Sequence, residues 1–261
     1  MTADPVTIRR EDRALVVTIS REHAANSISR EVVAGLERAV DEARATGDLR
    51  ALVLTGAGDR FFAAGGDIKQ YRALVDRETL AESFGPPRRL MDALEALPIP
   101  VVAAVNGYAL GGGAELMLAA DLRLAAATAR IGFPYVKLGL IAGWHGSERL
   151  ARCCGYSNAM KLLLTGEPVD AREAMRIGLV NDVVEEGSVV DAALALARQF
   201  DSHAPLSLAA TKRVMQGAYR LPPDALRELM DATFESLWLS EDHREAEAAF
   251  EEKRPPAFKG R

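Results

Sequence analysis

A chain of 261 residues that is 49% hydrophobic carries enough apolar material for a large buried core, either as one α/β domain or as a domain with a helical appendage. Its formal net charge of −5 argues against nucleic acid and against an anionic membrane as main partner, because both call for a basic surface, and leaves room for a small anionic ligand. The only two cysteines, Cys153 and Cys154, are adjacent, which suits neither a structural disulfide nor a zinc site, and neither the polar N-terminus nor any later segment has the apolar run of a signal or a membrane span; a soluble cytoplasmic protein without a metal is expected.

In chain order, residues 6–9 and 15–20 read as two strands about a charged turn, so a hairpin is expected to open the fold. Ser29 then reads as an N-cap, with Val32, Val33, Leu36, Ala39, Val40 and Ala43 on one helical face and Gly47 at the C′ position. A buried strand at 51–55, a glycine-containing loop and more helix follow. The pattern recurs at 101–105: a short apolar run, a glycine-rich turn, and a helix starting near Gly112. The recurrence of strand, turn and helix predicts an α/β fold.

Beyond Asp201 the strand signals stop, and 206–219, 223–239 and 242–253 read as helices, the last ended by Pro255 and Pro256. The division expected is a core over 1–200 and a helical oligomerisation region over 201–261. The apolar residues of the last helices, among them Met215, Met230, Phe234, Trp238 and Phe250, exceed what three helices on a small domain need. Burial against another subunit is one reading; coverage of their own core is the other.

Two segments carry chemistry. Residues 61–69, FFAAGGDIK, form a loop of small residues whose peptide N–H groups are free to face a ligand, or else a plain strand-to-helix turn with Asp67 as its N-cap. Residues 106–116, NGYALGGGAEL, lead three glycines straight into a helix N-terminus, where an oxyanion is stabilised. The glycine spacing is not that of a dinucleotide fingerprint. Glu115, in the first turn of that helix, is either a capping-box carboxylate or a buried acid/base group beside a carbonyl.

Together, and in this order, these segments resemble the two signature loops of the enoyl-CoA hydratase/isomerase (crotonase) family. The likeness continues through Asp121-Leu-Arg-Leu-Ala, Leu138-Gly139 and Arg149-Leu150 to the closing FEEKRPPAFKG, and so covers nearly the whole chain. It implies a spiral of ββα units with a C-terminal helical trimerisation region, assembled as a homotrimer or a dimer of trimers, acting on an acyl-CoA thioester with no cofactor beyond the coenzyme A of the substrate. By position in the motifs, it implies that the Gly66 and Gly112 N–H groups form the oxyanion hole and that Glu115 is the first catalytic glutamate. Ala24, Ala64, Asp67, Ile68 and Lys69 would lie along the CoA, and Phe250 and Lys253 would reach the CoA of a neighbouring subunit.

The chain also departs from the hydratase pattern. In 131–139, IGFPYVKLG, Tyr135 stands where hydratases place a second catalytic glutamate. It is read as a proton donor or water anchor, or as a buried structural tyrosine. Trp144 and His145 occupy a loop where small residues are usual, and His145 is a second acid/base candidate or a structural histidine. The leading expectation is therefore hydration of a 2-enoyl-CoA with Glu115 as acid/base. Decarboxylation or double-bond isomerisation on the same scaffold is the alternative, and a non-catalytic CoA-binding scaffold subunit is the alternative of another class.

Overall fold

The computed structural model describes residues 4–71 and 74–261, with the side chains of all of these except Ile68 and Lys69. Strands β1 (Val6–Glu11) and β2 (Ala14–Ile19) form the expected antiparallel hairpin. Helix α1 (Arg30–Ala45) follows, with the Ser29 hydroxyl accepting from the Val32 N–H and the predicted apolar face buried. Its end differs from expectation. Gly47 does not close it in a left-handed conformation; instead both the N–H and the hydroxyl of Thr46 donate to the Glu42 carbonyl, which satisfies the last turn without a glycine.

Three turns of a spiral come next, each placing one strand in each of two sheets before a helix. The first is β3 (Ala51–Gly56), β4 (Phe61–Ala63), then α2 (Ile68–Tyr71) and α3 (Arg77–Glu95). The second is β5 (Val101–Val105), β6 (Tyr108–Leu110) and α4 (Gly112–Leu118). The third is β7 (Leu122–Ala126), β8 (Arg130–Gly132), a 3-10 turn over Pro134–Leu138, and α5 (Gly146–Thr165). The six-stranded sheet runs β1-β2-β3-β5-β7-β10 and the four-stranded sheet β4-β6-β8-β9, closed by β9 (Val169–Asp170) and β10 (Asp182–Val184). From β2 to β10 the larger sheet is parallel, and β3 and β5 are buried throughout, as strands covered on both faces must be.

The period of two along these strands sorts the core. Leu15, Val17, Leu52, Leu54, Val101 and Ala103 face α1 and α4, while Val16, Val53, Val102 and Ala104 face α7 (Val189–Gln199). Helix α6 (Ala171–Arg176) precedes β10. The C-terminal region is helical as expected: α8 (Pro205–Arg220), α9 (Pro223–Trp238) and α10 (Glu241–Glu252). Helix α10 stops on Lys253, in a left-handed conformation, before the two prolines are reached. Among the described residues, no helix is long and apolar enough to cross a membrane.

Candidate active site

The two glycine-rich segments meet because β4 and β6 are parallel neighbours whose C-terminal ends release both loops on the same side. Gly65 and Gly111 both have positive φ, which turns each loop sharply off its strand. A Cβ built on Gly65 would lie 3.4 Å from the Gly112 nitrogen, so the two backbones are in close approach. Gly112 opens α4, where its N–H has no helical carbonyl to reach. Gly66 pairs with Ile28 as an isolated parallel bridge in which the N–H of Ile28 and that of Asp67 carry the hydrogen bonds, leaving the Gly66 N–H on the other side of the loop.

Glu115, in the first turn of α4, is 1% exposed. It is not a capping-box residue. Its carboxylate turns toward the loop before α5: Oε1 accepts from the Gly143 N–H at 3.1 Å, and Oε2 from the Trp144 and Gly146 N–H groups at 2.8 and 2.7 Å. The Tyr135 hydroxyl donates to Oε1 in a short hydrogen bond. Each carboxylate oxygen thus has two donors, which fills the in-plane acceptor positions of the group. His145, between two of these donors, has φ of 66° and serves as the N-cap of α5, and this left-handed turn lets successive N–H groups converge on one anion. Gly146 is required where it stands, since a Cβ there would collide with the Glu115 side chain.

Two effects oppose each other on this carboxyl. Burial pushes its pKa up, while hydrogen bonds from Tyr135 and from the Trp144, Gly146 and Gly143 backbone pull it down, and the balance leaves it above the usual carboxylate range. Burial, then the Glu115 charge and hydrogen bond, drive the Tyr135 phenol upward, so the proton between them belongs to tyrosine. Tyr71 is pushed up to about 12 by burial, by Asp67 and, more weakly, by Glu115.

Aromatic rings close over the glycines. A Cβ on Gly66 would collide with the Tyr71 ring, and one on Gly112 would lie 2.5 Å from Cζ3 of Trp144. Tyr71 stacks on Phe84 with ring centroids 4.9 Å apart, and Phe84 lies against Gly143. Trp144 is 2% exposed and belongs to the core, whereas the His145 side chain is exposed and contributes to the site through its backbone.

Of the residues singled out in the sequence, Glu115, Gly112, Gly66 and Tyr135 converge. The Asp67 carboxylate pairs with Arg21 at 3.2 Å, and its backbone carbonyl accepts from the Gln70 N–H at 2.9 Å. Ala64, whose N–H donates to the Ala25 carbonyl, and Ala24, in a short 3-10 turn, flank the glycine loop through this contact. Ile68 and Lys69 open α2, and their side chains lie outside the described residues. Phe250, 86% exposed, and Lys253 lie at the end of α10 and face solvent in the single chain. The sequence gives no signal for Tyr71, Phe84 and Gly146, nor for the peptide donor role of Gly143, since an aromatic residue and a backbone N–H carry none of their own. Among the described residues no cluster of three or more His, Cys, Asp or Glu has the arrangement to hold a metal ion.

The model of the family described as Enoyl-CoA hydratase/isomerase matches residues 9–261. The chain is 38% identical to (E)-benzylidenesuccinyl-CoA hydratase of Thauera aromatica, covering 98% of this chain and 99% of that one. It is 35% identical to short-chain-enoyl-CoA hydratase of Clostridium acetobutylicum over the whole of both. An enoyl-CoA hydratase from Bacillus anthracis of known crystal structure superposes with a TM-score of 0.93 at 32% identity, covering 98% of this chain and all of that one. With two glycine loops facing a buried glutamate, on a ββα spiral shared with solved hydratases, the chain belongs to the enoyl-CoA hydratase/isomerase family of enzymes.

Proposed function

We propose that the protein adds water across the double bond of a 2-enoyl-CoA, with Glu115 as the proton carrier and the Gly66 and Gly112 N–H groups as the oxyanion hole. The observation that carries this reading is the Glu115 carboxylate, buried beside the two glycine loops and held by four donors of which only one, the Tyr135 hydroxyl, belongs to a side chain. The three peptide donors are fixed by the backbone. The phenol is the one that can rotate, so it yields its place on Oε1 to water and then donates to that water.

Glu115 removes a proton as the water oxygen bonds to C3. The electron pair of the C2–C3 bond moves onto the thioester, and the two glycine N–H groups hold the resulting enolate oxygen, an interaction stronger in the transition state than before it. The same carboxyl then returns the proton to C2, so one glutamate serves both steps. Tyr135, the water anchor, stands in for a second carboxylate. No cofactor beyond the coenzyme A of the substrate is required.

The CoA moiety is assigned to Ala24, Ala64, Asp67, Ile68 and Lys69, with Phe250 and Lys253 supplied by a neighbouring subunit of a homotrimer or a dimer of trimers. The compartment proposed is the cytoplasm, in keeping with adjacent unpaired cysteines. Mass spectrometry of saturated, 2-enoyl, 3-enoyl and malonyl-type CoA thioesters incubated with the protein tests the reading. A gain of one water on the 2-enoyl thioester alone supports hydration. Turnover only of the malonyl-type or 3-enoyl substrate replaces it with decarboxylation or isomerisation, and tight binding without turnover replaces it with a scaffold role.

A further inference from the structure

Glu115 is held by peptide groups, and those peptide groups are themselves held. On the far side of the same loop, the Arg88 Nε of α3 donates to the Gly143 carbonyl at 2.8 Å. Arg149, in the first turns of α5 and 3% exposed, donates from Nη1 to the Trp144 carbonyl at 3.0 Å. The residues whose carbonyls face the arginines are thus two of those whose N–H groups face Glu115. Each arginine is fixed in turn. Arg149 bonds Asp92 at 2.7 Å and Glu95 at 3.0 Å, both on α3, and the Arg88 guanidinium lies 5.9 Å from the Phe84 ring centroid.

We infer that Arg88 and Arg149 are positioning residues for Glu115, clamping the 143–146 backbone from behind so that its N–H groups stay aimed at the carboxylate. The inference rests on Glu115 being the proton carrier proposed above. Its physical basis is twofold. Arg88, a cation on the Gly143 carbonyl, polarises the peptide whose N–H belongs to Trp144 and strengthens the bond that N–H donates to Glu115, while Arg149 on the Trp144 carbonyl holds the loop in place. A loop with His145 in a left-handed conformation also relaxes unless its surroundings hold it, and small displacements of a catalytic group cost rate steeply. Tyr71 and Tyr135 also face Glu115, from α2 and from the 3-10 turn, and both keep their protons across the neutral range.

Arg88 is the better probe because it is half-buried and lies outside the ion-pair cluster. With crotonyl-CoA as substrate, Arg88→Met is expected to lower kcat roughly ten- to a hundred-fold with KM unchanged. The acid limb of its kcat/KM profile should move to higher pH, because a less firmly held carboxylate binds its proton more tightly. Arg88→Lys, which keeps a cationic donor, should recover most of both. Arg149→Lys, which keeps the charge facing Asp92 and Glu95 and loses the guanidinium fork, should shift the profile in the same direction and supplies the test if Arg88→Met does not fold. Wild-type kcat and an unmoved acid limb in a folded Arg88→Met, or in Arg149→Lys in its place, would overturn the assignment. A wild-type enzyme that hydrates no enoyl thioester would instead overturn the proposed function, and that result is read before any variant is made.

Discussion

Glu115 has the acceptor demands of a carboxylate met by four donors, and this decides what its replacements do. Glu115→Gln cannot accept at every position: its NH2 fits only toward Tyr135, whose oxygen can accept, and leaves the Gly143 N–H without a partner. Turnover should fall by about 100-fold or more, the scale for losing an acid/base group, with CoA-thioester affinity kept. The fold should lose about 1–3 kcal/mol for the unpaired N–H, read from urea denaturation. Tyr135→Phe removes the one movable donor. It should lower kcat by about ten-fold or more, and raise the acid limb of the pH profile because a hydrogen bond that favoured the ionised form is gone. An unchanged rate and profile on crotonyl-CoA would leave Tyr135 as a lining residue. The glycine-rich start of α4 with Glu115 in its first turn was legible from short-range spacing, whereas the roles given to Gly66, Gly112 and Glu115 came from the resemblance to the two signature loops. The cradle was not legible, since its donors are peptide groups 28 to 31 residues further along, where any side chain could stand.

At the scale of elements, strands and capped helices were legible where periodicity and a capping side chain agree, as at Ser29 and along β3 and β5. They were less so where tertiary contacts decide. Helix α3 runs through Pro86 and Pro87, residues that in isolation mark a break. Besides the buried apolar face of Leu90, Met91 and Leu94, charge at long range ties α3 in place. Glu95, at its end, accepts from Arg149 and Arg152 of α5 and from Arg220 of α8, joining three helices at one buried carboxylate. Burial raises the Glu95 pKa, but the hydrogen bond and charge of Arg149 and the charges of Arg152 and Arg220 outweigh it, and the net shift is downward. A carboxyl with a lowered folded pKa stabilises the fold above its unfolded value, near 4.3, and that stability is lost as pH falls through the folded value. Wild type should therefore lose urea resistance more steeply below about pH 4 than Glu95→Gln, which has no such proton to bind. At neutral pH, Glu95→Ala should cost about 3–5 kcal/mol, because Arg149, buried, keeps only the solvent-facing Asp92 and the largely buried Arg152 loses its close carboxylate.

At the scale of the whole molecule, the question left by the sequence was what the apolar residues of the last helices cover. Some pack between α8 and α9, as Leu226 and Leu229 do against Gly217, but Met215, Tyr219, Met230, Phe234, Trp238 and Leu239 are all exposed large hydrophobic side chains. Met230, Phe234 and Trp238 follow at intervals of four along α9, on one face, with the Phe234 and Trp238 ring centroids 5.7 Å apart. A second apolar run, Val136, Leu138, Leu140 and Ile141, is exposed on the segment between the Tyr135 turn and the Glu115 cradle. A single chain gains nothing by presenting such surfaces to water, and each aromatic ring buries on the order of 150–250 Å² when a partner covers it. Self-association that buries α9 also gives the solvent-facing Phe250 and Lys253 of α10 a way to reach a neighbour's substrate. We therefore expect a trimer or hexamer by multi-angle light scattering at micromolar concentration, and smaller species when Phe234 and Trp238 are both changed to glutamate, since a charge at each position must lose its water on assembly. If the interface also completes the CoA site, that double variant should raise KM for the thioester while Glu115, remote in its cradle, keeps its chemistry. A wild-type protein that is monomeric at that concentration, or a variant of unchanged mass, would show that the α9 face has another use.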